Sequence, residues 1–325
     1  MTFHHDLKLS YILHKTTMRL LGKNKVLEQW LLKLFYLTIL FFYLPGIYAL
    51  VSAQSNGDYR TRSDGNWNSN NTWQVYNGGW SNCVAGDYPG ATAGTGTADI
   101  RNGHEVTITA NVPNSIGSLR INGGNQDSYL YFNSGVSLTV AGETYLNSTS
   151  NSDEKSVLVD DGIFITGSVN ANSGNSDNRD AYLRISDGSV TVIGDVNLNS
   201  TNFRTYILFT GTGNLNVGGD MTGGTITSSS GGGSSAPISG SVIFNGSAVQ
   251  NIGDYIYYNL TVDNAAGVSI SGNTTVDNQP TMTLGNITTG LFTLTLSHSS
   301  AGSLNHVSGT VIGRLQRQVN TPLSI

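Results

Sequence analysis

The chain has 325 residues, of which only 11% are charged, with 40 glycines, one cysteine (Cys83) and a net charge of −5. Beyond residue 53, ten basic residues stand against nineteen acidic ones, a net −9. That balance excludes the clustered cationic surface needed by a nucleic-acid or anionic-lipid partner, and one cysteine excludes an intrachain disulfide.

Residues 1–53 read as a targeting segment. Lys8, Lys15, Arg19, Lys23, Lys25 and Lys33 form a basic leader, and Leu34 to Leu44 is a mostly apolar run. Pro45-Gly46 breaks any helix, and Val51-Ser52-Ala53 has the small-residue pattern of a signal-peptidase site. Cleavage is preferred over a retained anchor, because the run is short for a bilayer span of about 20 residues. Export places the mature chain outside the cell or on its outer surface, with membrane contact only through export or downstream anchoring.

Residues 54–111 form a β-rich cap in this reading. They hold Trp67, Trp73 and Trp80 with Tyr76 and Tyr88 in a Gly/Asn-rich stretch. A solenoid exposes strand edges and apolar cross-section at its end, so a cap is required there. The three indoles have two readings, a platform for sugar rings or the buried core of the cap, and the core is preferred. Tyr145 and the cluster Tyr255 to Tyr258 are weaker candidates for sugar stacking.

From residue 112 to 306 a glycine-punctuated unit repeats. Its anchors are Gly142, Gly167, Gly194, Gly219, Gly246 and Gly272, which follow one another at a nearly constant interval. Two positions before each stand Val140, Ile165, Val192, Val217, Phe244 and Ile270; four before stand Leu138, Ile163, Val190, Leu215, Val242 and Val268. A period-2 apolar alternation locked to a longer repeat is the signature of stacked β-coils. A third short strand falls halfway between anchors, as in Leu130 to Phe132, Val157 to Val159, Leu183 to Ile185, Ile207 to Phe209 and Leu260 to Val262. The predicted fold is all-β: a parallel β-helix of about 26 residues per coil, within the range of solenoid repeats. Three strands make up each coil, and seven to nine coils are expected. A β-sandwich array is the rival, disfavoured because hairpin registers do not hold such a phase. Five residues after the anchors, Asn147, Asn172, Asn199 and Asn251 predict a stacked amide column at a turn. The Gly/Ser-rich run Thr225 to Ser235 is expected to bulge out as a loop.

The repeat phase also aligns carboxylates. Asp161 stacks with Asp187, and Asp195 with Asp220, one coil apart. Carboxylates about 5 Å apart repel, raise a pKa or share a cation, and such spacing is also that of retaining glycosidases. The preferred reading is that Asp, Ser and Thr are interchangeable turn formers there; Asp195 and Asp220 remain the candidates for a structural Ca²⁺, the one cofactor considered. The loop Asn175 to Asp180 is oxygen-rich but lacks the spacing of an EF-hand. His104, His298 and His306 make no metal pattern, and no catalytic set assembles. Residues 307–325 read as the start of a further module, with the sequence truncated inside it.

The stretch Tyr257-Tyr258-Asn259-Leu260-Thr261-Val262-Asp263-Asn264, with Gly267-Val268-Ser269-Ile270-Ser271-Gly272, resembles repeats of large secreted Bacteroidetes surface proteins. So do Leu284-Gly285-Asn286-Ile287-Thr288-Thr289-Gly290 and Val307 to Arg317. Gly65-Asn66-Trp67 through Thr72-Trp73, with Gly103-His104-Glu105-Val106, is similar to their N-terminal segment and to a G8-type module. The resemblance implies export by the type IX route and an adhesin-like or structural role. The function expected is therefore an extracellular β-helix without catalysis that binds glycans or cell-surface components, with a carbohydrate-active lyase or hydrolase as the alternative.

Overall fold

A computed structural model describes residues 54–148, 153–174, 179–199, 204–231, 235–300 and 304–319. Residues 1–53, where a targeting segment is expected, the middle of the acidic loop at 175–178, and 320–325 lie outside the described residues. The chain is an all-β parallel solenoid of about eight turns, with no helix among the described residues.

Each full coil passes through three walls. The first is a seven-stranded parallel sheet that includes Glu105–Ile108, Ser128–Phe132, Asp153–Val159, Arg179–Ile185, Thr205–Phe209 and Thr225–Thr227. The second wall stacks Leu138, Phe164, Val190, Leu215 and Val242. The third stacks Ala98, Leu119, Thr144, Val169, Val196 and Met221. Residues Ser137–Ser148 and Ile163–Ser173 each run continuously from second wall to third, which merges these walls into one 19-stranded sheet. Alternate side chains on every wall point inward, so the apolar columns bury one another between walls. Leu138, Val140, Val157, Val159, Val190, Val192, Leu215 and Val217 are all fully buried.

Two details of the predicted register change. The segment Ile163-Phe164-Ile165-Thr166 is apolar in both phases of its alternation, so local pattern cannot choose between them. Pairing to Leu138 and Val140 turns Phe164 and Thr166 inward, and Ile163 is left 48% exposed. The cost of burying the Thr166 hydroxyl is offset by its bond with Thr144 Oγ1 (2.8 Å) and donation to the Ser168 carbonyl (3.0 Å). Gly272 also departs from the other anchors. Val268 and Ile270 pair with Gln250 and Ile252 on the third wall, whereas Leu260 and Val262 continue the second-wall column of Val242 and Phe244.

The reason is a change of coil length. Up to Val242 the second wall advances by full coils, as from Leu215 to Val242. Beyond it the steps shorten, with Val242 pairing already to Leu260 and Leu260 to Pro280. The seven-stranded wall stops at Thr225–Thr227. From there a narrower coil takes over, whose third face stacks Thr275, Thr295 and Gln316 through parallel pairs. Its inner residues Tyr257, Val276, Leu294 and Leu296 are buried. A cavity of about 160 Å³ marks the seam, lined by Thr225, Ile226, Ser235, Ala236, Asp254, Tyr255 and Ile256.

The Gly/Ser-rich run does not simply project. Its first residues make the last strand of the first wall, and the Gly231 N–H donates to Tyr206 Oη (3.1 Å) on that wall's outer face. There Tyr206 stacks on Tyr182 (centroids 4.7 Å, 7° between planes), and both join Leu208 in a small buried cluster separate from the main core.

At the N-terminal end, Tyr59–Thr61 lies parallel to Thr97–Ile100. Trp73–Tyr76 pairs antiparallel to Tyr59–Thr61 and turns back into Trp80–Asn82. An antiparallel hairpin therefore lies along the third wall's leading edge, where parallel strands would offer unpaired backbone groups.

Candidate functional site

The aromatic residues of the N-terminal region separate into two groups. Trp67 and Trp73 are 1% and 0% exposed and meet edge to face at 4.9 Å. Their indole N–H groups donate to the carbonyls of Pro89 (2.8 Å) and Trp67 (2.7 Å). These two rings are interior packing with no exposed face. Trp80 is half-buried on the hairpin, with Tyr76 against it at 5.3 Å and the Arg60 guanidinium over its ring at 4.2 Å. Tyr255 and Tyr257 also belong to the interior, whereas Tyr145 is half-exposed.

The stacked carboxylates are occupied by the turns themselves. Asp195 Oδ1 accepts the Asp220 N–H (2.8 Å), and Asp220 accepts the Asn251 N–H (2.7 Å) and side-chain amide (3.1 Å). Each thus closes the turn of the next coil. Asp161 accepts from Ser134 Oγ (2.6 Å). Asp187 accepts the Thr212 N–H and hydroxyl, both at 2.9 Å, and these bonds, the backbone one first, hold its carboxyl below the usual range. No cluster of three metal-ligating side chains occurs among the described residues.

What the topology does assemble is an outward stripe on the third wall. Parallel register places Arg60 beside Asp99, Asp99 beside Arg120, and Arg120 beside Tyr145. The column continues through Asn170, Asn197 and Thr222. Seven rungs at the β spacing extend about 30 Å. All seven side chains are partly or fully exposed. Along the lower half, side-chain bonds tie coil to coil: Asn170 donates to Glu143 (3.0 Å), Asn199 to Asn170 (2.8 Å) and Thr222 to Asn197 (3.0 Å).

The head of the stripe is electrostatically unusual. Arg60 is fixed by Trp80 and by donation from Nε to Gln74 Oε1 (2.8 Å). Arg101 follows Asp99 at the next position but one, on the same side of the chain. Burial pushes the Asp99 carboxyl up to about 6, even though Arg101, Arg120 and Arg60 all pull it down. Asp99 Oδ1 and Arg101 Nε are both buried and have no hydrogen-bonding partner from the chain. Unpaired buried polar groups are costly, so this head is less satisfied than any other part of the stripe. The linear chain conceals it, because Arg60, Asp99 and Arg120 lie far apart in the aperiodic N-terminal part and meet only through strand pairing.

A second polar cluster lies on the outer face of the first wall. Glu154 accepts from Tyr129 Oη (2.8 Å) and Tyr182 Oη (3.3 Å). Its register neighbour Asp180 is bound by Arg204 (3.1 Å) and Tyr206 Oη (3.0 Å). Three phenols and a guanidinium thus hold the two carboxylates in place. No protein-family model matches the chain, and neither a curated protein nor a solved structure does.

Proposed function

We propose that this chain is an extracellular, non-catalytic β-helix with a structural or adhesin-like role, exported through its N-terminal segment and contacting glycans at the cell surface. The observation that carries the reading is the continuous outward stripe from Arg60 to Thr222, in which an aromatic and arginine head leads into a ladder of amides and hydroxyls. Sugar rings present C–H faces to aromatic rings and hydroxyls to amides, and the rungs repeat on a rigid scaffold whose spacing hardly changes on binding. The likeness of its repeats to secreted Bacteroidetes surface proteins, exported by the type IX route, points the same way. Binding of the purified protein to a panel of immobilised neutral and acidic glycans tests it. Retention that is lost when Tyr145→Ala and Trp80→Ala are combined is expected, with the fold unchanged by circular dichroism; no retention on any glycan sinks the reading.

One observation supports the alternative of a carbohydrate-active enzyme. Glu154 and Asp180 are register neighbours on adjacent coils, and two adjacent carboxyl groups are what glycoside hydrolysis employs. Release of new reducing ends from a polysaccharide panel, abolished in Glu154→Gln, is the result that makes this an enzyme.

A further inference from the structure

We propose that the head of the stripe, the Arg60, Arg101 and Arg120 cluster around Asp99, binds an acidic saccharide through the carboxylate or sulfate of one sugar ring. The proposal rests on the glycan reading above and names the class of glycan.

The cations come first. The chain beyond residue 53 has ten basic residues in all, yet three of them act on one carboxylate here. Arg60 and Arg120 come from the strands on either side of Asp99, and Arg101 follows the last residue of its own strand. An acidic protein thus has a local cationic spot, where an anion is favoured over the surrounding surface. Arg60 is held by Trp80 and Gln74 before any ligand arrives, so little side-chain entropy remains to be lost on binding.

The two unpartnered atoms define the ligand further. Arg101 Nε lacks an acceptor, and Asp99 Oδ1 lacks a donor. The Arg101 Nε–H calls for an acceptor and Asp99 Oδ1 for a donor, and the neighbouring guanidinium groups favour an acceptor that carries negative charge. An acidic sugar offers an anionic oxygen next to a hydroxyl on a single ring and adds a C–H face for an aromatic neighbour, which inorganic phosphate lacks. The next rung is Tyr145, placed for the C–H face of the adjoining ring. Beyond it, Asn170 and Asn197 suit hydroxyls of further, uncharged units.

The test is calorimetric titration of the purified protein with trigalacturonate, with its methyl ester and with inorganic phosphate. The acid is expected to bind at least tenfold more tightly than the ester, with phosphate weaker than both. Affinity for the acid falls steeply between about 50 and about 200 mM salt, as counterion screening demands. Arg120→Gln loses at least tenfold for the acid and less than threefold for the ester, while Asp195→Ala, in a remote turn, leaves both unchanged. Equal affinity for acid and ester overturns the inference but leaves glycan binding standing. Binding of neither overturns both. Phosphate binding as tightly as the acid also overturns it, because the cluster is then a generic anion site. The acid–ester comparison needs only the unaltered chain, so it decides the matter even if Arg120→Gln fails to fold.

Discussion

The wide coils before Thr227 and the narrow coils after Val242 are built from the same alternating pattern, yet they differ in almost everything else. A wide coil runs through three walls and holds its outer face under a second small core of Tyr182, Tyr206 and Leu208. A narrow coil closes over a shorter stretch, as from Val242 to Leu260, and runs one face directly into the next through long strands such as Thr274–Leu284. Apolar alternation therefore specifies that a strand is half-buried, while the corners decide how much chain a turn consumes. The stripe and its arginine head lie on the wide half, where the third wall stays in register over many rungs.

The largest effect is expected in the wide half, at its buried ion pair. Lys155 and Asp153 are 0% and 1% exposed, 3.2 Å apart, and Lys155 also donates to the Gln126 carbonyl. Asp153→Ala leaves that ammonium uncompensated and should cost about 3–5 kcal/mol, read as a lowered denaturant midpoint. Because coils contact only their neighbours, hydrogen exchange should accelerate around residues 128–185 well before it does around residues 274–296. Uniform acceleration in both halves would mean the solenoid unfolds as one unit and the distinction has no energetic content.

Phe164→Ala should cost about 3–5 kcal/mol, while Ile163→Ala, at the adjacent position, should stay within about 0.5 kcal/mol. The reverse ranking would restore the register read from sequence. Next in size is Asp99→Asn. The folded carboxyl titrates near 6, above its unfolded value, so this group favours the folded state at low pH and opposes it as pH rises through 6. The substitution should stabilise by about 1–3 kcal/mol at pH 8 and lose that advantage below pH 4. A pH-independent difference between the two proteins would show that folding does not raise the Asp99 carboxyl above its unfolded value. The smallest effect belongs to the turns: Asp195→Ala should cost at most about 1 kcal/mol, and added Ca²⁺ should not move the melting temperature of either protein. A Ca²⁺-dependent rise in the unaltered chain alone would establish a cation site at Asp195 and Asp220.

Much of the scaffold was legible because buried columns force apolar residues into alternation. Leu138, Val140, Val190, Val192, Leu215 and Val217 could be assigned from spacing alone. The reading failed where both phases of a strand were apolar, at Ile163 to Thr166, and where a glycine marked a different corner, at Gly272. In both places only the pairing partner fixes the phase. The candidate site was less legible still. Trp80 and Tyr145 stood out as aromatic residues, but Arg60, Asp99, Arg101 and Arg120 look like ordinary solvated charges in a linear chain. Only the lateral stacking of strands from separate coils makes them one cluster.

The seam between the two halves has a mechanical meaning. Successive wide coils are joined across all three walls, as where Ile163–Ser173 and Arg179–Ile185 meet the strands of the next turn through four, four and five paired positions. Across the seam the second wall keeps four such positions, the third keeps Met221 with Ile252, and the seven-stranded wall ends. Under tension along the axis, each joint resists in proportion to the ladder bonds that must break together. By that measure the seam, with five paired positions, should part before the joint between those two wide coils, which has thirteen.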